Sequence, residues 1–340
     1  MTNSLKNRNI LVTGGTGFVG SHLVEELVRQ GANVITTFIS TSPLSYFFTQ
    51  KLNKKVKMVH VDVCNFDGVF DMVTKFDVDY IFHLAAQALV ETAYYNPKRT
   101  LESNIMGTVN VLESARLYPK VNAVVVASSD KAYGKIKYQN KEILPSLRSS
   151  LTSGVKYKES DALKGDHPYE VSKSAADLIS YSYFKTYNLP VAITRFGNIY
   201  GEGDMNFSRI IPGIIKSIVR NETLKVRSNG KYVRDYLYVK DVVNGYLLLA
   251  SNIERVKGEA FNFGSEESLS VVELIKLIEK TLKKKIHYKI LNIAKNEIPY
   301  QSLDYSKIKN ILKWKQRYSL TQTIKKLTRW YKKAITEDKE

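Results

Sequence analysis

Tyr169 and Lys173 are two side chains of this sequence that could move a proton together. They stand four residues apart in the run Tyr-Glu-Val-Ser-Lys, and at 3.6 residues per turn this spacing puts a phenol and an ammonium on one helix face. A neighbouring positive charge stabilises the phenolate, so a group with a pKa of about 10 becomes a base nearer neutral pH. The same spacing recurs at Tyr94 and Lys98, Tyr133 and Lys137, Tyr181 and Lys185, Tyr236 and Lys240, and Tyr305 and Lys309. The surrounding sequence must therefore select the pair that does chemistry.

A second group of polar side chains, Ser129, Asp130 and Lys131, follows an apolar run at residues 121–127. The run predicts a buried strand, so these side chains emerge at the carboxyl end, where open α/β sheets bind ligands. Catalytic groups belong at that position. In the alternative interpretation, Asp130 and Lys131 form only a surface ion pair.

A glycine turn supplies the third motif. The strand predicted at residues 9–13 runs directly into glycines at 14, 17 and 20, and a helix follows on which Phe18 and Val19 begin the apolar face. Glycines allow a tight turn and close backbone approach, while the free amides at the helix start favour a pyrophosphate. Gly14, Gly17 and Gly20 therefore predict a dinucleotide site, the alternative being a glycine turn without a ligand.

Strand-like and helix-like segments alternate over the first part of the chain. After the first strand, further strands are predicted at residues 34–39, 57–61, 80–84, 121–127 and 191–195, and the clearest helices at 100–118 and 169–187. The alternation predicts an α/β fold with a doubly wound parallel (Rossmann) sheet and a smaller α/β substrate-binding region on the C-terminal side.

Two domains are expected from this pattern. Residues 1–195 form the dinucleotide-binding domain, to which 232–256 returns, and residues 196–340 bind the substrate. The second region contains a predicted helix at 210–220, short strands at 224–226 and 260–263, and a final helix with an apolar stripe at Leu320, Ile324, Leu327, Trp330 and Tyr331. The polar segment 135–163 is interpreted as a surface loop beside the entrance to the site.

Composition narrows the classes of function. The net charge is +18, yet the lysines are scattered and no nucleic-acid-binding motif accompanies them, so a positive field that attracts a phosphate-bearing substrate is the preferred interpretation. No apolar run is long enough for a membrane span, and no secretion signal is expected. Cys64 is the single cysteine, which suits a reducing cytoplasm and speaks against a structural metal site.

The order of these motifs resembles the extended short-chain dehydrogenase/reductase family, and specifically its nucleotide-sugar 4,6-dehydratases. Further similarity comes from His83-Leu84-Ala85-Ala86, Asn104 in Asn-Ile-Met-Gly-Thr, Arg195 to Gly201, Arg234 to Asp241, and Trp330-Tyr331. The resemblance implies NAD as the cofactor and a nucleotide diphosphate sugar as the substrate. It also implies that Tyr169 takes the proton of the hydroxyl on sugar carbon 4, that Ser129 bonds the same hydroxyl, and that Lys173 holds the cofactor ribose.

The resemblance further places Asp130 and Lys131 where dehydratases carry the acid and the base that remove water across carbons 5 and 6. Lys131 must be neutral to act as the base. Other members of the family that are 4-epimerases usually have small or non-acidic residues at the position of Asp130, so this residue favours water loss.

By the same resemblance, the binding residues can be assigned. Cofactor contacts are expected from Gly14, Gly17, Phe18, Val19, Gly20, Asp62, Val63, Leu84, Ala85, Ala86, Asn104, Tyr169 and Lys173. Substrate contacts are expected from Gln87, Ser129, Asn198, Arg209, Arg227 and Arg234. Arg209 and Arg227 could equally be solvated surface charges, and the lone His83 is expected to pack near the cofactor without ligating a metal.

Three functions stay open at this point: a 4,6-dehydratase, a 4-epimerase, and a dinucleotide-binding protein without catalysis. The second strand ends in Thr-Thr-Phe-Ile-Ser-Thr with no acidic residue for the adenosine ribose, so NADP is not excluded. The nucleobase and the sugar are also open. Relatives commonly form homodimers through helices that correspond to 100–118 and 169–187, and the second of these offers Ile179, Tyr181 and Phe184 either as that surface or as core.

Overall fold

The computed structural model of the protein describes residues 5–135, 137–138, 141–142, 156–294 and 298–337. Its strands, in chain order, are β1 Asn9–Thr13, β2 Asn33–Phe38, β3 Lys57–His60, β4 Tyr80–His83, β5 Ala123–Ala127, β6 Lys137–Tyr138, β7 Lys141–Glu142, β8 Val191–Phe196, β9 Asn198–Tyr200, β10 Leu224–Val226, β11 Val233–Tyr238, β12 Ala260–Phe263, β13 Ser268–Ser270, β14 Tyr288–Ile290 and β15 Tyr300–Gln301.

The α-helices are α1 Phe18–Arg29, α2 Tyr46–Thr49, α3 Phe66–Lys75, α4 Val90–Tyr95, α5 Pro97–Leu101, α6 Gly107–Leu117, α7 Pro168–Tyr187, α8 Ile210–Arg220, α9 Val239–Ser251, α10 Ile253–Val256, α11 Val271–Leu282, α12 Ser306–Leu312 and α13 Leu320–Glu337. None of the helices in the described part of the chain is both long and apolar enough to cross a bilayer.

Seven parallel strands form the central sheet, in the order β12-β8-β5-β4-β1-β2-β3. Successive strands are added on one side of β1 as far as β3 and on its other side from β4 onward. Such a switch point between β1 and β4 opens a crevice at the carboxyl ends of the strands. This arrangement confirms the predicted doubly wound parallel sheet.

Helices cover both faces of this sheet because its strands are apolar on both sides. Along β5, Val124 and Val126 pack into a core cluster with α3 and α6, whereas Ala123 and Val125 pack into the opposite cluster with α1 and α9. Full burial of a side chain of this size contributes about 1.5–3 kcal/mol. The two cores therefore hold the carboxyl end of β5 in a fixed place above the crevice.

The second region of the sequence contributes to both parts of the molecule. Residues 239–256 pack in the core of the large sheet, and β12 is the last strand of that sheet. The remaining strands form smaller sheets, in which β11 pairs with β9, β13 and β15. The predicted stripe on α13 packs with α8 and α11, and Leu320, Ile324, Leu327 and Tyr331 are buried there.

The helix predicted at residues 100–118 is interrupted. It consists of α5, a π-helical turn at Glu102–Met106, and α6. Within the π-helical turn, the Asn104 amide donates to the Gln87 carbonyl at 3.1 Å and to Ser172 Oγ at 2.8 Å. Turns of this kind are frequent at functional sites, and the helix period alone does not predict them.

Most of the loop predicted at residues 135–163 lies outside the described residues. At its described end, Tyr157 is buried and pairs with Leu303 in a short parallel bridge, whereas residues 158–163 are exposed or half-buried. The Tyr157 ring also stacks on Tyr133, which belongs to the turn that follows β5.

Candidate active site

The glycine turn lies at the switch point, between the end of β1 and the start of α1. Gly14 has a φ of 69°, a backbone conformation that favours glycine. A Cβ atom on Gly20 would lie 2.3 Å from the Gly14 carbonyl oxygen, so a side chain would not fit without a backbone shift. No described side chain caps α1 at Gly17, and its first turn has no acidic residue. The amides at this helix start therefore fit a bound pyrophosphate.

The loop after β4 packs directly against the glycine turn. Leu84 and Ala85 donate their backbone N–H groups to Thr13 Oγ1 at 3.2 and 3.1 Å, and Ala86 follows them. His83 is buried between two threonine hydroxyls, at 2.8 Å from Thr13 and 3.1 Å from Thr108. Burial lowers the pKa of His83 to about 3, so this ring is neutral and packs beside the turn.

Asp62 and Val63 follow β3 at the same edge of the sheet. Asp62 accepts hydrogen bonds from the Cys64 backbone at 3.0 Å and from Arg99 at 2.7 Å. Although partial burial acts in the opposite direction, these bonds hold the pKa of Asp62 below its usual range. Val63 is buried against Gly107 of α6. No local sequence pattern predicts the contact between Arg99 and Asp62.

The polar residues after β5 form a tight helical turn at Asp130–Tyr133. The Ser129 hydroxyl caps this turn by accepting the Lys131 N–H at 3.1 Å, and it donates to the Asp130 carboxyl at 3.0 Å. Asp130 is buried, at 5% exposure. Three side chains that could bond a hydroxyl, donate a proton and accept one thus lie on a single short turn.

Helix α7 brings Tyr169 and Lys173 to this turn. Both are buried, and Lys173 Nζ donates to the Ala127 carbonyl at 2.7 Å. Six Tyr/Lys pairs have this spacing, and the side chain of residue 137 in one of them lies outside the described part of the structure. Of the other five pairs, only Tyr169 and Lys173 are both buried. Tertiary packing therefore distinguishes the pair that its spacing alone did not.

Burial raises the pKa of Tyr169 to about 12, and the negative charge of Asp130 contributes to the rise. A hydrogen bond from Ser129 and the charge of Arg209 act in the opposite direction. Burial also lowers the pKa of Lys173 to about 8. The expected lowering of the Tyr169 pKa is thus wrong for the protein alone, because desolvation of the phenolate outweighs the favourable contacts.

The predicted substrate residues differ in their contacts and exposure. Gln87 Oε1 is buried without a hydrogen-bond partner among the described residues. Arg209 forms an ion pair with Asp204 at 3.1 Å and is near enough to influence Tyr169. Arg227 is exposed and forms an ion pair with the exposed Glu91 at 3.6 Å, which fits the alternative of a surface charge.

Asn198 and Arg234 belong to the neighbouring strands β9 and β11. The Asn198 amide donates to the Asp235 carbonyl at 3.3 Å, and Arg234 donates to the Val233 carbonyl at 2.8 Å. The Arg234 guanidinium also lies over the Tyr232 ring, 5.8 Å from its centroid. Both side chains are half-buried, so each retains surface for an anionic ligand.

Two buried contacts near the turn were not predicted from the sequence. Arg195 of β8 makes a bidentate ion pair with Asp177 of α7 at 2.7 and 2.8 Å and donates to the Tyr133 hydroxyl at 2.6 Å. Gln301 of β15 accepts a hydrogen bond from Lys131 Nζ and donates to the Asp130 carbonyl at 2.9 Å. The residues in each contact are far apart in the sequence, so no local sequence pattern could predict either contact.

Comparisons with known proteins give similar sequences and a similar fold. The family model described as "NAD dependent epimerase/dehydratase family" matches residues 10–264. The chain is 30% identical to CDP-glucose 4,6-dehydratase of Salmonella typhimurium, over 98% of this chain and 93% of the relative. It is 28% identical to CDP-paratose 2-epimerase of Salmonella typhi, over 94% and 98% of the two chains. The crystal structure of dTDP-glucose 4,6-dehydratase from Bacillus anthracis in complex with NAD superposes with a TM-score of 0.80 at 26% identity, over 96% of this chain and 97% of that one.

Proposed function

The chain belongs to the NAD-dependent epimerase/dehydratase family, and from that premise we propose that it is a nucleotide-sugar 4,6-dehydratase. It would convert a nucleoside diphosphate hexose to the corresponding 4-keto-6-deoxyhexose. The observation that carries the proposal is the meeting of Ser129, Asp130 and Lys131 on one turn with the buried pair Tyr169 and Lys173. The fold and the family support a nucleotide-sugar-modifying enzyme that uses NAD, and the dehydratase assignment is our specific proposal.

The glycine turn supports NAD as the cofactor, because it combines close backbone approach with an uncapped helix start. In our proposal, Gly14, Gly17, Phe18, Val19 and Gly20 hold the pyrophosphate. The adenosine side is formed by Asp62 and Val63, and the nicotinamide side by Leu84, Ala85, Ala86, Asn104 and Lys173. Bound NAD supplies the hydride acceptor for carbon 4 and the hydride donor for carbon 6.

In the first step, Tyr169 would remove the proton of the hydroxyl on carbon 4 while Ser129 bonds the same oxygen. The oxidation leaves a ketone at carbon 4. Lys173 would support the step as an ammonium, since its pKa of about 8 keeps it mostly protonated at neutral pH. A nearby positive charge stabilises the phenolate that Tyr169 must form.

In the second step, the ketone makes the proton on carbon 5 acidic. The neutral amine of Lys131 would accept that proton, and Asp130, in its protonated form, would donate a proton to the hydroxyl on carbon 6, which leaves as water. Return of hydride to carbon 6 and of the proton to carbon 5 completes the product. One buried carboxyl and one amine on the same turn are the groups that this elimination requires.

Residues 196–340 would hold the nucleotide sugar in this proposal. Asn198, Arg209 and Arg234 offer an amide and two guanidinium groups for the diphosphate. The exposed Arg227 is a further candidate for this contact. Gln87 Oε1 could accept a hydrogen bond from a sugar hydroxyl, because it is buried without another partner among the described residues. The net charge of +18 favours the approach of a dianionic substrate.

A 4-epimerase is the second candidate, because a UDP-glucuronate 4-epimerase and a dTDP-glucose 4,6-dehydratase are each 28% identical to this chain. An epimerase would use Ser129, Tyr169 and Lys173 but would need no acid at carbon 6, so the buried Asp130 favours water loss. A dinucleotide-binding protein without catalysis is the third candidate, and the intact Tyr169 and Lys173 pair speaks against it.

A panel of UDP-, dTDP- and CDP-hexoses, incubated with the protein and NAD and analysed by mass spectrometry, tests the proposal. We expect one of them to give a product lighter by one water. A product of unchanged mass and altered sugar configuration would establish the epimerase instead. Tight NAD binding without turnover of any sugar nucleotide would support the non-catalytic alternative.

We also propose a homodimer in the cytoplasm. Val171, Leu178 and Tyr181 form an exposed apolar stripe on α7, with exposures of 41, 57 and 46%. Ile179 and Phe184 are half-buried and pack in the core, so of the residues considered only Tyr181 belongs to this surface. Because contiguous exposed apolar surface often marks a protein–protein contact, a second copy of the chain is the proposed partner.

A further inference from the structure

Gln301 links the substrate-binding region to the turn that carries the proposed acid and base. It lies on β15, next to Arg234 on the parallel neighbour β11, and it is 1% exposed. Its amide oxygen accepts from Lys131 Nζ, and its amide nitrogen donates to the Asp130 carbonyl at 2.9 Å. One side chain therefore contacts both members of the pair from a position 170 residues away in sequence.

Charged groups face Lys131 from two other directions. Asp130 precedes it on the same turn, and Glu170 approaches from α7. Burial raises the pKa of Glu170, while a bond from the Asp166 backbone and the charge of Lys131 act against the rise. Gln301 is the uncharged member of this group, although a glutamate of the same shape would fit the position.

The neutrality of Gln301 has a chemical consequence. An amide oxygen accepts a hydrogen bond from either an ammonium or a neutral amine, whereas a carboxylate strongly favours the ammonium. A lysine that serves as a base must lose a proton before it can take one from substrate. A neutral acceptor can therefore orient the lysine through both protonation states.

We propose that Gln301 is a positioning residue that holds the Lys131 amine beside Asp130 and leaves the amine free to change its charge. This inference rests on the proposed function, because it assigns a purpose to Gln301 in the elimination step. A merely structural role would require only the bond to the Asp130 carbonyl. The two roles differ in what happens when Gln301 becomes charged.

The test is the variant Gln301→Glu, with the pKa of Lys131 measured by competitive acetylation. Acetic anhydride reacts with the neutral amine, so the pH profile of Lys131 acetylation, followed by peptide mass spectrometry, reports its pKa. The exposed Lys225 serves as an internal reference. We expect the pKa of Lys131 to rise by about 1–3 units, and the rising limb of the pH profile for water elimination to move by the same amount.

Gln316→Glu is the matched control. The Gln316 side chain is likewise held by hydrogen bonds, from the Ser265 hydroxyl and the Glu266 N–H and to the Tyr318 carbonyl, but these three partners do not include Asp130 or Lys131. The control should leave the acetylation profile of Lys131 unchanged. A folded Gln301→Glu protein with an unchanged Lys131 profile would overturn the inference.

The variant Gln301→Met keeps the inference testable if Gln301→Glu does not fold. Methionine removes both hydrogen bonds at similar volume and adds no charge. We expect water elimination to slow at least about tenfold at every pH, without a shift of the profile and with oxidation at carbon 4 retained. Elimination at the wild-type rate would refute the positioning role.

The outcomes separate this inference from the proposed function. If wild-type protein removes water from no sugar nucleotide, the proposed function fails, yet the acetylation profile still decides whether Gln301 controls the charge of Lys131. If wild-type protein removes water and neither variant alters the elimination step, only the inference fails.

Discussion

Burial moves the pKa values of Tyr169 and Lys173 in opposite directions. The phenolate and the ammonium are both charged forms, and a buried environment disfavours each of them. The pKa of Tyr169 consequently rises to about 12 while that of Lys173 falls to about 8. At neutral pH the resting pair is thus a neutral phenol and a mostly protonated amine, so the proton removal that we propose for Tyr169 requires positive charge beside the ring.

The first prediction at the scale of single residues concerns Tyr169→Phe. Removal of the phenolic oxygen eliminates the proposed general base, and such groups typically contribute 10²- to 10⁴-fold in rate. We expect oxidation at carbon 4 to fall by about this factor, as followed by the absorbance of reduced cofactor in single-turnover experiments. Tyr181→Phe is the control on the exposed face of the same helix and should retain full activity. Wild-type rates for Tyr169→Phe would contradict the assigned role.

Asp130→Asn should separate the two steps. The amide cannot donate an acidic proton to the hydroxyl on carbon 6, so we expect elimination to slow by about 10²- to 10⁴-fold while oxidation at carbon 4 continues. Transient reduced cofactor should accumulate, and product lighter by one water should be almost absent. Equal loss of both steps would show that Asp130 does not have the proposed separate role.

At the scale of elements, β1, β4 and α1 approach one another closely at the switch point because no side chains lie between them. Gly14 lies against the Ala85 backbone, and Gly20 lies against the Gly14 carbonyl. The helix start is thereby kept open toward the crevice. The Asp130–Tyr133 turn is held in a comparable way, by Arg195 from β8 and by Gln301 from β15.

Gly20→Ala tests the glycine turn. The new methyl group would meet backbone atoms at 2.3 and 2.7 Å, and overpacking of this kind typically costs about 1–3 kcal/mol. We expect a lower melting temperature and about tenfold or greater loss of NAD affinity in calorimetric titration. Gly68→Ala in α3 is the control, since its methyl group would meet only the Asn65 side chain and the Val61 side chain at 3.3 Å and beyond. Unchanged NAD affinity for Gly20→Ala would argue against pyrophosphate binding there.

Asp235 makes the junction of β11 with its neighbours sensitive to pH. Its carboxyl accepts from the Leu303 N–H at 2.8 Å and from Ser268 Oγ at 2.7 Å, and burial raises its pKa to about 6. Because the folded pKa is above the unfolded value, the folded state holds a proton between about pH 4 and pH 6 that the unfolded state has lost. Its contribution to stability is complete below the unfolded pKa and is lost as pH rises through about 6.

Asp235→Asn should remove this pH dependence. We expect the free energy of unfolding of the wild type, relative to that of the variant, to fall by up to about 3 kcal/mol from pH 4 to pH 6. Urea denaturation at a series of pH values measures the difference. The exposed Asp161→Asn serves as the control. Parallel stability curves for wild type and Asp235→Asn would disprove the assignment.

At the scale of the whole molecule, the second region is fastened to the large sheet at several points. β12 is part of the sheet, and α9 packs beneath it. Nε2 of His22 on α1 lies 2.7 Å from the Glu202 carbonyl, and Gln301 of β15 donates to the Asp130 carbonyl at 2.9 Å. The residues proposed for the cofactor and for the sugar nucleotide therefore belong to one continuous framework.

The proposed homodimer gives a prediction at the same scale. Leu178→Glu would place an unpaired charge in the apolar stripe of α7, and burying such a charge typically costs about 3 kcal/mol or more. We expect the dimer to dissociate at least about 100-fold more readily in analytical ultracentrifugation. Ile293→Glu is the control at a similarly exposed apolar residue outside α7. A wild-type protein that is monomeric at all concentrations would contradict the proposed dimer.

Much of the fold could be predicted from local patterns. The helix predicted at 210–220 and the strands predicted at 224–226 and 260–263 agree with α8, β10 and β12 to the residue. The first strands agree within two residues, because a buried parallel strand is a short continuous apolar run. The break at Glu102–Met106 was not predictable, since Asn104 is held by Gln87 and Ser172 from other elements.

The sequence by itself determined the order of the motifs, the parallel sheet and the family, because strand, glycine turn and helix period are encoded by neighbouring residues. Only the tertiary structure decided which of the Tyr/Lys pairs is buried, in which direction its pKa values move, and which distant side chain holds Lys131. The reason is physical: burial and electrostatic environment depend on residues brought together from remote parts of the chain. The contacts of Gln301 with Asp130 and Lys131, like that of Asp177 with Arg195, therefore cannot be predicted from the spacing of neighbouring residues.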